Sequence, residues 1–328
     1  MQSFNLELEL AQQDGTEFKV GKFSESQDLA LIPLAERRKW LPQGIIQSNN
    51  IMDTSGCANR SPIAILKAKF TYLYHHDMLP ELKKFLEGPH KIGGKNYSYV
   101  VGTGANAKVV FDETFVEILS DTTPQGNSMK APLETIRKYG LIPECLPLED
   151  NMTWEQYMDK KRITQEMLDL GYKFSGKENP DRLFTIVYEQ VPESQFSKER
   201  KIDWLDVAAN AWPKPVDGIY YSDVRYYNHA FPEFNDEIEA LDSYPDYDPE
   251  TGTLKGTNFI KRLDKNYKHF EWGYTLSIIK QQTPQIKERD SITQQVYEIL
   301  KKNNLLEHFA NWLALFAKTI KGVWTSKK

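Results

Sequence analysis

The spacing of apolar residues changes character partway along this chain, and that change limits its folds more than any other feature. In the first half, apolar positions recur at helical spacing, most clearly from Ile63 to about Tyr74 and from about Met129 to Tyr139. From Leu183 strand-like runs take over: Phe184-Thr185-Ile186-Val187-Tyr188, Val207-Ala208-Ala209-Asn210-Ala211 and Gly218-Ile219-Tyr220-Tyr221. Helices gathered first and strands second predict an α+β fold with two lobes. With 328 residues, 40% hydrophobic and 27% charged, the chain has the material for a sizeable core and for two domains or one extended one.

Other features narrow the partners. A net charge of -5 gives no global reason to expect nucleic-acid binding. The start, Met1-Gln2-Ser3-Phe4-Asn5-Leu6, has no basic or apolar leader, so no signal peptide is expected. No run approaches the ~18 apolar residues of a membrane span. Two cysteines make no disulfide framework, which predicts folding in a reducing compartment. No metal-ligand pattern stands out, and no cofactor is expected.

Taken in order, residues 5–23 predict a β-hairpin, with Asp14-Gly15 at its turn. The run Asp53-Thr54-Ser55-Gly56-Cys57 then opens a helix expected to reach about Tyr74. Pro62 lacks the N–H that would bond back to residue 58, so the helix is expected to kink there or to restart with Ser61 as cap. Gly102-Thr103-Gly104-Ala105-Asn106-Ala107 imitates a dinucleotide fingerprint. That motif needs a helix at its glycines, whereas Lys108-Val109-Val110-Phe111 reads as a strand, so a turn or hairpin is predicted. A polar loop at 120–128 precedes the helix that Gly140 ends, and residues 141–180 read as an interdomain excursion. Residues 281–328 carry a capping box at Ser291-Ile292-Thr293-Gln294 and an apolar stripe including Leu305, Phe309, Trp312 and Phe316, which predicts docking helices.

Cys57 draws attention because a thiol at a helix start meets the positive end of the dipole, which favours its thiolate. The plainer alternative is a small buried hydrophobe. Thiolate chemistry needs an imidazole and a group to orient it. Of six histidines, His75 and His76 fall on a helix surface, His90 in a Gly/Pro loop, and His269 and His308 beside charges. His229 differs, lying in the strand-like Tyr227-Asn228-His229-Ala230-Phe231. Asp242, at a strand end, is a candidate orienter; its alternative is a turn aspartate before Ser243-Tyr244-Pro245.

The order Cys57, His229, Asp242 across a helix-rich and then a strand-rich half resembles the papain-like cysteine peptidases. So do Gly126-Asn127 before a helix, Tyr139-Gly140-Leu141-Ile142-Pro143, Gly218-Ile219-Tyr220, Asn228-His229-Ala230, Asp242-Ser243-Tyr244 and Trp272-Gly273-Tyr274. Asp53-Thr54 before the cysteine, Gly126-Asn127-Ser128-Met129-Lys130 and Phe259-Ile260-Lys261-Arg262-Leu263 resemble a subgroup encoded by tailed bacteriophages. The resemblance implies a papain-like two-lobe domain at 41–280, with a helical lobe at about 41–150 and a β lobe at about 180–280. A hairpin extension (1–40) and a helical extension (281–328) would flank it. It implies a Cys57–His229–Asp242 triad, an oxyanion donor, and a substrate site at Gln125, Gly126, Asn127 and Tyr244. The family's oxyanion glutamine lies six residues before its cysteine, where this chain has Ile51; Gln47 is the candidate if the loop carries an insertion, with Asn50 the fallback. The Cys57–His229 separation exceeds the usual ~130–150 residues, which agrees with an insertion around 150–180. A protein or peptide substrate follows, with other virion proteins as partners of the C-terminal helices, in the virion or host cytoplasm. Two other readings of the same chain are a structural virion protein built on the same module and a peptidoglycan endopeptidase.

Overall fold

The computed structural model describes residues 28–44, 46–77, 79–177, 179, 181–192, 204–209, 219–220, 227–234, 239–243, 259–264 and 272–280. The hairpin expected at 5–23, residues Tyr244, His269 and His308, and the helices expected at 281–328 lie outside them. The chain divides into a unit of residues 1–281 and a second of 282–328, and every described residue belongs to the first.

Among the described residues, seven α-helices come first: α1 (Arg37–Trp40), α2 (Cys57–His75), α3 (Pro80–Glu87), α4 (Glu113–Leu119), α5 (Lys130–Tyr139), α6 (Trp154–Tyr157) and α7 (Gln165–Phe174). Between α3 and α4 stand two small antiparallel hairpins, β1 (His90–Ile92) with β2 (Lys95–Tyr97) and β3 (Val100–Val101) with β4 (Lys108–Val109). The second hairpin contains Gly102 and Gly104 in its turn, with Val100 opposite Val109. The glycine run is therefore a hairpin turn, as its sequence predicts, and opens no dinucleotide site.

The centre of the molecule is α2. Ile63, Leu66, Phe70 and Leu73 recur at helical spacing and enter the main core, while Ala68 meets Ile32, Trp40, Phe234, Leu241 and Phe259 on another side. Burial on several sides holds α2 continuous through Pro62, so the expected restart does not occur. Ser61 is no cap: its hydroxyl oxygen lies 2.8 Å from the Cys57 carbonyl, inside the helix. Two lysines on α2 are also buried. Lys69 Nζ meets Asp28 Oδ2 at 2.5 Å and the Leu276 carbonyl at 2.7 Å. Lys67 Nζ meets Glu113 at 2.5 Å and Glu144 at 2.9 Å; burial opposes its charge, but the two carboxylates more than offset this and raise its pKa.

Residues 165–174 correct the expectation of an excursion. Phe174 is fully buried and lies 5.2 Å from Tyr99 and 5.1 Å from Phe70, centroid to centroid. The charges of this segment face outward while Met167 and Phe174 complete the main core. Gly140 ends α5 at φ 78°, and a Cβ there would come within 1.9 Å of the Gly171 carbonyl oxygen, so α7 packs directly on that glycine.

The second half is a seven-stranded sheet in the order β5-β11-β6-β8-β9-β10-β7, with β5 (Phe184–Pro192), β6 (Trp204–Ala209), β7 (Ile219–Tyr220), β8 (Tyr227–Glu233), β9 (Glu239–Leu241), β10 (Ile260–Leu263) and β11 (Trp272–Lys280). All neighbours are antiparallel except β10 and β7. Segregated helices and a largely antiparallel sheet make an α+β architecture. Ile186, Tyr188, Tyr274, Leu276 and Ile278 close the sheet onto the helices.

Candidate functional site

Cys57 is the first residue of α2, half-buried, with Gly56 before it as the cap residue. The turn leading to it is tightly specified. Ser55 sits at φ 51°, a left-handed conformation that few residues adopt, held by its N–H donating to Asp53 Oδ1 at 2.7 Å. A Cβ on Gly56 would lie 2.3 Å from Glu117 Oε1, so the carboxylate of α4 packs directly against the cap. Glu117 is fully buried. Burial pushes its carboxyl above the ordinary range, and Arg60, with Nε 3.1 Å from Oε1, pulls it back only in part. The Tyr157 hydroxyl donates to Oε2 at 2.8 Å.

Ten residues before the cysteine, Gln47 is folded back onto Asp53 and Thr54, in the run that leads to it. Ser48 and Asp53 form an antiparallel bridge, and the Thr54 N–H donates to the Gln47 carbonyl at 2.9 Å. Gln47 is 2% exposed; its Nε2 donates to Asp53 Oδ1 at 3.0 Å, and its Oε1 accepts from Ser243 Oγ at 2.6 Å. The same Asp53 oxygen thus holds both Gln47 and the turn into α2. Asn50, the fallback, is exposed, and its N–H goes to the Asp150 carbonyl at 3.2 Å.

The sheet reaches this helix start through β8. Ser61 Oγ, one turn into α2, donates to the Ala230 carbonyl at 2.7 Å. Ala230 follows His229, whose backbone stands opposite Ala208 of β6 beside a register shift; the His229 side chain lies outside the description. Asp242 follows β9, and its N–H donates to the Phe259 carbonyl at 2.8 Å. Asp242 lines a cavity of about 30 Å³ with Ser61, Ala64, Pro232 and Ser243. The segments bearing Cys57, Gln47, His229 and Asp242 therefore converge on the first two turns of α2. The Phe259 ring packs directly on Gly44, where a Cβ would fall 2.0 Å from it.

The loop after α4 flanks the same point. Thr123 and Gly126 bridge each other in a tight turn, with Gly126 at φ 97° and Gln125 exposed at its tip. Ser55 Oγ donates to the Pro124 carbonyl at 2.9 Å, joining this turn to the one before Cys57. Asn127 turns its amide inward, Nδ2 donating to the Ser120 carbonyl and hydroxyl, each at 3.0 Å. Tyr244 lies outside the described residues.

The remaining described histidines have local roles. His75 Nε2 donates to the Ala107 carbonyl at 2.8 Å, His76 Nδ1 to Tyr72 at 2.9 Å and His90 Nε2 to Phe85 at 2.6 Å. Cys145 lines a different, larger cavity of about 470 Å³ beside Asp112. Burial and then the Asp112 charge push its thiol pKa up, which keeps it protonated at neutral pH. Asp112 caps α4 and accepts from the Cys145 and Leu146 N–H groups, each at 2.7 Å; burial still pushes its carboxyl up to about 7. Ser243, Asp53 and Glu117 have no distinguishing sequence signal apart from their neighbours. Ser243 beside Asp242 and Asp53 in the run before Cys57 were visible only as context.

No family model and no curated protein matches this chain. Among solved structures, xylellain, a cysteine protease from Xylella fastidiosa, is similar at a TM-score of 0.40 and 10% identity, over 79% of this chain and 94% of that one.

Proposed function

We propose that this chain is a papain-like cysteine peptidase of phage origin, cleaving peptide bonds at Cys57. The observation that carries the reading is the convergence at the start of α2. A cysteine at the N-terminus of a buried central helix is tied, through Ser61 and Ala230, to the strand that bears His229. In the proposed mechanism the Cys57 sulfur attacks the scissile carbonyl. His229 takes the thiol proton and returns it to the leaving amine, and Asp242 orients its ring. The oxyanion forms against the Gln47 amide and the Cys57 backbone N–H. Support for Gln47 comes from Ser243, whose hydroxyl occupies the amide oxygen and turns the donor nitrogen of Gln47 toward the Asp53 side, where the turn into Cys57 begins. The phage origin rests on the sequence strings alone.

The test is hydrolysis of an unstructured fluorogenic peptide library at pH 5–8 by the full chain, against Cys57→Ala. Turnover by wild type and none by the variant supports the reading. Equal activity, or none in either, refutes it.

A further inference from the structure

We propose that Thr122, with Asn59 and Ser120, is a positioning residue that fixes the 123–126 turn as the edge of the Cys57 site against which substrate lies. This rests on the peptidase reading above and names how that site is held in shape. Asn59 lies on α2 two residues after Cys57 and is fully buried. Its Nδ2 donates to Thr122 Oγ1 at 2.9 Å, and its Oδ1 accepts from Ser120 Oγ at 2.8 Å. Thr122 Oγ1 also accepts from Asn127 Nδ2 at 3.2 Å and lies 3.2 Å from Ser120 Oγ. One hydroxyl oxygen thus joins the nucleophile helix to both sides of the loop.

A buried asparagine is costly unless both ends of its amide are met, so a satisfied Asn59 is by itself ordinary core chemistry. The second anchor is what points to positioning. Ser55, two residues before Cys57, holds the Pro124 carbonyl at 2.9 Å. The turn is therefore fastened on both sides of the thiol, at residue 55 through its tip and at residue 59 through its base. Both cysteines of the chain are free, so no covalent bond shares this task. A loop fastened at two points around a nucleophile keeps a constant distance to it, which is the geometry a bound peptide requires.

Thr122→Val keeps the side chain's shape and removes the hydroxyl that Asn59 and Asn127 share, with its contact to Ser120; Thr122→Ser keeps the hydroxyl. Three readings are taken on the full chain: steady-state kinetics on the fluorogenic peptide, the rate of Cys57 alkylation by iodoacetamide, and amide hydrogen exchange over 123–127. We expect Thr122→Val to raise KM about tenfold, the factor set by about one buried hydrogen bond. Exchange over 123–127 should accelerate about as much, alkylation should stay at the wild-type rate, and Thr122→Ser should restore both KM and exchange. Unchanged exchange in Thr122→Val overturns the proposal, as does an alkylation rate that falls together with kcat. If wild type cleaves no peptide, the peptidase reading fails. The exchange result then still decides whether Thr122 fixes the turn.

Discussion

Asp53 Oδ1 accepts two hydrogen bonds, from Gln47 Nε2 and from the Ser55 N–H, so one atom couples the oxyanion candidate to the turn before Cys57. Asp53→Ala should therefore lower kcat by about 10²–10³, the loss expected when an oxyanion donor is misplaced, with KM changed little. Matching kinetics for Asp53→Ala and wild type would remove Gln47 from the mechanism. The two cysteines give a second measurement. With its pKa raised, Cys145 should label slowly with iodoacetamide at pH 6, and Cys57 should label first by peptide mass mapping. Asp112 sets a third. Its folded pKa of about 7 lies above the unfolded value of 3.8, so its contribution to stability is fully present below about pH 4 and is lost as pH rises toward 7. Urea denaturation across pH 4–8 should show wild type losing stability relative to Asp112→Asn over that window. At this scale the helix start at Cys57 and the strand that carries His229 were legible from their neighbours. Asp53 and Ser243 were not, because their roles exist only once the 47–54 loop closes.

Among the elements, α2 was the most legible, since its period survives two buried lysines and a proline. Its continuity through Pro62 was not legible: packing on several sides outweighs one missing backbone hydrogen bond, and local sequence does not report it. The same limit hid α7. Its charges read as solvent-facing, while Phe174 reaches into the aromatic cluster of Tyr99, Phe70 and Phe111. The junction of α2 with α4 gives the prediction for this scale. Gly56→Ala places a methyl against the buried carboxylate end of Glu117, which Arg60 and the Tyr157 hydroxyl hold in place. We expect a loss of about 1–3 kcal/mol in unfolding free energy, typical of overpacking, with slower Cys57 alkylation because the cap must shift. Wild-type stability together with wild-type alkylation would mean that Glu117 moves freely and does not shape the turn.

Across the whole molecule, Lys69 and Asp28 join three distant parts of the chain: the segment before α1, the middle of α2, and β11. Asp28 Oδ1 accepts from the N–H groups of Ala30 and Ile278, each at 3.1 Å, while Oδ2 faces the buried ammonium. Asp28→Ala removes one carboxylate from that buried ammonium and should cost up to about 3–5 kcal/mol, read from urea denaturation. Asp28→Ala combined with Lys69→Met should recover a substantial part, because the buried ammonium that faced Asp28 is then gone as well. The order of helices before sheet was legible at this scale from the change in apolar spacing. The pairing of residue 28 with residue 278 was not, since contacts so far apart in sequence leave no local pattern. The fastening of the 123–126 turn by hydroxyls and amides has a practical side for anyone handling the protein. Thiol reductants such as dithiothreitol, needed to keep Cys57 from oxidising in storage, have no bond to cleave in that fastening. The protein can be kept under strong reduction throughout purification without loosening that turn.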